Sequence, residues 1–252
     1  MDISTLFQEL KKEISADFAG SEWKTQEYSD DFFGEVRSNY WEPEREQEFL
    51  SEHLGDGRFL DLGCGDFRLS RELIHSGNGV GLDLSFHALR ENVVPCVCGD
   101  YRNLPFQSRC FDLVLLAFGQ ICFLQPEELL SLLKQCRSLL IRGGKVILDL
   151  PTLALMQELD GVNEWVQKED RFQFYVRQYQ ADEQCFHQRL LELDKEGRLC
   201  RDICFTYRGY GYSELLTLIE QAGYLACYCA EDLNGTRIQE ESPWMSFVLK
   251  KS

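Results

Sequence analysis

A strand-like apolar run that ends on a carboxylate and enters a glycine turn constrains this chain more than any other feature. It reads Phe59-Leu60-Asp61-Leu62-Gly63-Cys64-Gly65-Asp66-Phe67. The arrangement recurs: Gly79-Val80-Gly81-Leu82-Asp83 ends on a carboxylate, and so does Cys98-Gly99-Asp100. Short apolar strands released into turns at their carboxyl ends suit a parallel sheet buried on both faces. The spacing predicts strands over 58–62, 79–83, 94–98, 111–117 and 144–150. Helices over 68–76, 86–91 and 126–140 lie between them, and Arg142-Gly143-Gly144 stops the last helix before the fifth strand. This alternation reads as an α/β fold, an open and mainly parallel Rossmann-like sheet covered on both faces.

The flanks keep a different rhythm. Residues 1–54 are helical in pattern and charged, a cap interrupted by Tyr28-Ser29-Asp30-Asp31-Phe32-Phe33. Pro43 opens its final helix. Residues 55–152 form the core. Residues 153–208 read as a lid insertion: a helix over 153–170, then three antiparallel strands over 172–180, 184–194 and 198–207. Asp182-Glu183 and Asp194-Lys195-Glu196-Gly197 turn the chain between those strands. Their half-apolar alternation suits a sheet with one wet face. Residues 209–252 return to the core through a helix over 212–222, a strand over 224–230 and a closing, antiparallel strand over 244–250.

Charge narrows the function. With 42 acidic and 26 basic residues, the net charge is −16. That field opposes capture of nucleic acid by its phosphates and favours a neutral or cationic small molecule. No apolar run approaches the roughly 18 residues of a membrane span. Met1-Asp2-Ile3-Ser4 lacks the pattern of a secretory leader. Eleven cysteines include Cys96/Cys98 and Cys227/Cys229, spaced C-x-C, and the four histidines (53, 75, 87 and 187) are scattered. No zinc site is expected, and free thiols in a reducing cytoplasm are. The chain is expected to be a monomer or homodimer.

The candidate site follows from the strand ends. Gly63 and Gly65 allow a tight turn and close approach of a ligand to the backbone. Asp83 suits the two hydroxyls of a ribose. Asp100 suits an exocyclic adenine amine, with Leu84 and Tyr101 flanking the ring, although a helix cap is its plainer use. A dinucleotide fingerprint would need glycine at position 68, where Arg68 stands.

In these stretches the chain resembles the class I S-adenosylmethionine-dependent methyltransferases. The likeness is carried by Leu60 to Gly65, Gly81-Leu82-Asp83-Leu84-Ser85, Gly99-Asp100, Leu104-Pro105-Phe106, Phe111-Asp112-Leu113-Val114 and Leu140-Ile141-Arg142-Gly143-Gly144. The second half resembles a subgroup acting on small molecules, through Leu148-Asp149-Leu150-Pro151-Thr152, the antiparallel insertion, Tyr207-Arg208-Gly209-Tyr210 and the last strand.

The resemblance implies a seven-stranded sheet with its last strand reversed. It implies S-adenosyl-L-methionine as cofactor and methyl transfer to a nitrogen or oxygen of a small-molecule acceptor. Gly63 and Gly65 would line the methionine part, Asp83 would bind the ribose, and Asp100 with Tyr101 the adenine edge, with Cys64 and Leu84 among the cofactor-binding residues. Asp61 would orient the glycine turn or reach the cofactor's ammonium through water. Ala117, Phe118 and Gln120 would border the sulfonium and the acceptor. Gln120 as an orienting group, Tyr210 as a donor and His187 as a base are the candidate catalytic residues.

One departure stands out. Phe67 occupies the place of the family's third glycine, where its ring would either pack beside the methionine tail or weaken binding. A catalytically silent relative serving as an interaction protein therefore stays open, as does a nicotinamide-dependent oxidoreductase.

Overall fold

The structure, a computed structural model, describes residues 43–67, 69–74, 78–90, 94–232, 235–239 and 241–251, with Thr5 and Gln8 besides. Tyr28, Phe32 and Tyr40, expected from the sequence either to cover a bound cofactor as a lid or to form a buried seam between the N-terminal helices, lie outside the described residues.

Helix α1 (Pro43–Leu54) leads into β1 (Phe59–Leu62). The single-turn α2 (Arg71–Ile74) precedes β2 (Gly79–Asp83), and another single turn, α3 (Phe86–Leu89), precedes β3 (Cys96–Cys98). Strand β4 (Phe111–Leu116) is followed by a 3-10 turn (Gln120–Phe123), α4 (Pro126–Leu139) and β5 (Leu140–Pro151). Pro126 opens α4, and Glu128 accepts the Gln125 N–H at 2.8 Å, satisfying a donor at the helix start. Leu129, Leu132, Leu133, Cys136 and Leu139 form its buried stripe.

The chain steps outward from β1 to β2 and β3, all parallel. It then returns to lay β4 on the other side of β1. Strands β10 (Tyr224–Ala230) and β11 (Trp244–Lys251) complete a seven-stranded sheet of order β10-β11-β5-β4-β1-β2-β3. β11 runs antiparallel to both neighbours. The reversed last strand is therefore present as expected. Along β4 the pleat divides the core: Val114 and Leu116 pack with α4 and α6 (Tyr212–Gln221), whereas Leu113 and Leu115 pack with Leu50 and Leu54 of α1.

Two expectations change. Arg142-Gly143-Gly144 does not end the helix, because Leu140 is already extended (φ −72°, ψ 140°). The segment is instead a bulge, where pairing with β4 jumps from Phe111↔Leu140 to Leu113↔Lys145 and Gly143 takes a φ of +80°. The helix expected over 153–170 is only α5 (Leu153–Glu158). Gly161, at φ +69°, turns the chain and donates its N–H to the Arg177 carbonyl at 3.2 Å. Asp160 and Asn163 accept the backbone N–H groups of Tyr179 and Arg177 at 2.8 and 3.1 Å.

These bonds lay a further strand, β6 (Glu164–Gln167), against β7 (Arg171–Gln180). With β8 (Cys185–Asp194) and β9 (Leu199–Arg208), the inserted antiparallel sheet has four strands, one more than expected.

Candidate cofactor site

The reversal of strand order between β1 and β4 opens a crevice at their carboxyl ends, where ligands of such sheets bind. The turn after β1 uses three left-handed residues, Gly63 (φ +74°), Gly65 (φ +51°) and Phe67 (φ +60°). Asp83, at the end of β2, fastens it: one carboxylate oxygen accepts the Gly65 N–H at 2.9 Å, the other the Ser85 N–H at 2.8 Å. Beneath the turn Asp61 is buried, and Ser70 donates its hydroxyl to it at 2.5 Å. Burial first, then the charges of Asp61 and Asp83, push the Cys64 thiol far above its usual range, so it stays protonated.

Phe67 lies neither beside the crevice nor across it. Its ring is fully buried among Leu50, Phe59, Leu113 and Leu115. A Cβ on Gly81 would fall 2.3 Å from that ring and 2.5 Å from the Cys64 sulfur. The backbone thus keeps the left-handed conformation a glycine would adopt, while the side chain fills space left by a glycine on the neighbouring strand.

The opposite wall is the loop after β4. Ala117 packs partly buried against the α1-side core. Phe118 and Gly119 are consecutive left-handed residues, at φ 65° and 67°, and the Phe118 ring stacks on Trp244 at 5.8 Å. Their N–H groups converge on one carboxylate oxygen of buried Asp149. Phe118 makes the shorter bond, and Gly119 donates at 3.1 Å. This turn directs the Gln120 side chain across the crevice onto Gly63, where an added Cβ would lie 2.3 Å from the carboxamide carbon. Tyr101, beyond β3, reaches over and donates its hydroxyl to the Gln120 carbonyl at 3.1 Å. Burial raises the Tyr101 pKa, keeping that donor protonated.

Asp100 shares this rim through the Gly99 N–H bonded to the Asp83 carbonyl at 2.9 Å. Its carboxylate accepts the Arg102 backbone N–H at 2.9 Å and pairs with the Arg102 guanidinium at 3.2 Å. Arg102 in turn donates to Glu128 at 3.0 Å, tying the β3 end to α4. The Leu84 carbonyl accepts the Cys98 thiol at 3.6 Å, which holds the β2 end against β3.

Gly63, Gly65, Asp83, Tyr101, Phe118 and Gln120 are therefore drawn into one cluster. Two of the candidate catalytic residues lie elsewhere. Tyr210 is fully buried and donates its hydroxyl to the Leu124 carbonyl at 2.6 Å, with the Arg208 guanidinium over its ring. His187 is on β8, beside Phe186, whose ring meets Tyr207, which in turn meets Phe123 of the 3-10 turn. Alternation along the strand places His187 on the opposite face, buried, with Nδ1 3.0 Å from the Thr206 hydroxyl. Trp165 and Phe172 meet at 6.3 Å, and their register puts them on His187's face of the sheet.

Sequence reasoning missed Ser70 as the partner of Asp61 and Asp149 as the anchor of the β4 loop. Asp149 carried a signal: it ends the apolar run of β5 on a carboxylate, as Asp61 and Asp83 do for theirs.

A family model described as a methyltransferase domain matches residues 59–144. An uncharacterized protein of Methanocaldococcus jannaschii is 33% identical over 81 residues, covering 30% of this chain and 31% of that protein. The chain thus matches under a third of that relative's length. Solved structures superpose over far more. An S-adenosylmethionine-dependent methyltransferase from Clostridium acetobutylicum gives a TM-score of 0.76 at 16% identity, covering 88% of this chain and 96% of that one. The CcbJ methyltransferase from Streptomyces caelestis gives 0.74 at 20% identity, covering 89% and 100%.

The fold is that of the class I S-adenosylmethionine-dependent methyltransferases.

A third similar structure is CalS10 from Micromonospora echinaspora, an amino pentose methyltransferase involved in calicheamicin biosynthesis and solved with S-adenosylmethionine bound. It gives 0.67 at 20% identity, covering 89% and 98%.

Proposed function

We propose that the protein transfers the methyl group of S-adenosylmethionine to a nitrogen or oxygen of a small-molecule acceptor in the cytoplasm, releasing S-adenosylhomocysteine. The observation that carries this reading is the junction at the strand-order reversal. There the Gly63–Gly65 turn is fastened to Asp83 and faced by Gln120.

The residues fit the cofactor. A side chain at Gly63 would collide with the Gln120 carboxamide, so glycine is what lets that carboxamide and the turn backbone meet at the crevice. A carboxylate oxygen accepts more than one hydrogen bond, so Asp83 can hold the turn and receive ribose hydroxyls as well. With the cofactor bound, Leu84 and Tyr101 would flank the adenine, and Asp100, steadied by Arg102, would accept from its amine. Gly63, Cys64 and Gly65 would line the methionine part, with Asp61 supporting them from below. Ala117, Phe118 and Gln120 would border the transfer zone.

The bound cofactor supplies an activated methyl group on a sulfonium. The chain's task is to align the acceptor opposite the sulfur and to exclude water. Neither Tyr210 nor His187 is assigned a role in proton transfer. The buried tyrosine is held protonated by burial and spends its hydroxyl on Leu124. An acceptor amine that arrives neutral needs no base at the site, so nitrogen is favoured over a hydroxyl. The amino pentose named for one structural neighbour is of that class.

Calorimetric titration with S-adenosylmethionine and S-adenosylhomocysteine, with NADH as control, tests the reading. Both sulfur compounds should bind saturably and NADH should not, and Asp83→Ala should lose at least about tenfold in affinity, as expected for charged hydrogen-bond partners. Absence of binding to folded protein would refute the cofactor assignment and favour a silent relative.

A further inference from the structure

We infer that Asp149 is a positioning residue for the cofactor site, acting through the turn that carries Gln120. This rests on the cofactor reading above. Successive backbone N–H groups in a turn can converge into a concavity that favours an anion. Here the concavity at Phe118 and Gly119 holds an internal anion, the Asp149 carboxylate, and the Asp149 backbone carbonyl also accepts the Gly119 N–H at 3.2 Å. A left-handed phenylalanine is a costly conformation that persists only where its surroundings enforce it. The surroundings do so: Phe118 stacks on Trp244, and a Cβ at Gly119 would come within 3.2 Å of the Pro151 ring.

The next residue is Gln120, whose carboxamide rests on Gly63. Its backbone is tied on one side by Tyr101 and on the other follows directly from the Asp149-held turn. Asp149 therefore decides where the carboxamide meets the glycine turn. An asparagine offers the same shape but replaces a charged acceptor by a weaker neutral one, and so loosens the turn without emptying the space.

The test is a double-mutant cycle of Asp149→Asn and Gln120→Ala, read by calorimetry with S-adenosylhomocysteine. Amide proton shifts of Phe118 and Gly119 provide a second readout that needs no ligand. Asp149→Asn should weaken binding about tenfold in the parent protein and less than about twofold in the Gln120→Ala background, since residues acting through one another are non-additive. The two amide protons should move upfield as the charged acceptor is lost. Equal losses in both backgrounds, or unchanged affinity despite shifted amides, would overturn the positioning role while leaving the cofactor reading intact. Failure of the parent protein to bind would overturn both.

Discussion

Gly81 lacks a side chain where Phe67 needs the space, and this pairing answers the one departure in the glycine turn. A methyl group at position 81 would sit 2.3 Å from a fully buried ring. Overpacking of that kind costs about 1–3 kcal/mol. Gly81→Ala should therefore lower the thermal unfolding midpoint, and adding Phe67→Leu should recover part of the loss; a midpoint equal to the parent's would show that the ring has room to move. His187 makes a second prediction. Burial lowers its pKa, with Glu183 opposing weakly. Between the lowered folded value and the ordinary value of about 6.5, the unfolded chain binds a proton that the folded chain does not. Its stabilising contribution is thus present above that ordinary value and is lost as pH falls. Denaturant unfolding at pH 7.5 and 5.5 should show a shallower acid loss for His187→Gln than for the parent. Gly63, Gly65 and Asp83 were legible because residue type and spacing alone define a turn beside a strand end. The fate of the Phe67 ring was not, because it depends on what the neighbouring strand omits.

Elements explain why Tyr210 is conspicuous in the sequence without belonging to the cofactor cluster. It stands between β9 and α6, and its hydroxyl reaches the Leu124 carbonyl between the 3-10 turn and α4. The inserted sheet is thereby joined to the core, with Arg208 pairing with Glu214 at 2.8 Å on the same junction. Tyr210→Phe leaves that carbonyl without its donor and should cost about 1–3 kcal/mol. If the bond is purely structural, affinity for S-adenosylhomocysteine stays within twofold; a large loss of affinity without a change in stability would return Tyr210 to the site. The order of core elements was readable because each strand is an apolar run and each longer helix an amphipathic stripe. Strand 224–230 was located to the residue. β6 is not legible in the sequence for a physical reason: all four of its residues are exposed, so no alternation marks it or separates it from the α5 pattern before it. What ends that helix is Gly161 together with two side chains, Asp160 and Asn163, whose partners lie on β7.

For the whole molecule, the excess of acidic residues meets the chemistry of the proposed cofactor. The net charge is −16, and Asp61, Asp83, Asp100 and Asp149 stand at or just beyond the carboxyl ends of four strands of the sheet. S-adenosylmethionine carries a sulfonium charge that S-adenosylhomocysteine lacks; otherwise the two differ by one methyl group. Their difference in affinity therefore reports the potential at the sulfur position. Surface potentials of several kT are screened as the Debye length shrinks from about 30 Å at 0.01 M salt to about 3 Å at 1 M. Raising sodium chloride from about 20 mM to about 500 mM should weaken S-adenosylmethionine by about threefold and leave S-adenosylhomocysteine nearly unchanged. Asp149→Asn, which removes one rim charge, should shrink the difference between the two ligands at low salt. Parallel weakening of both by salt would mean that the crevice shields the sulfur from the rim, and the negative charge would then serve solubility rather than recognition.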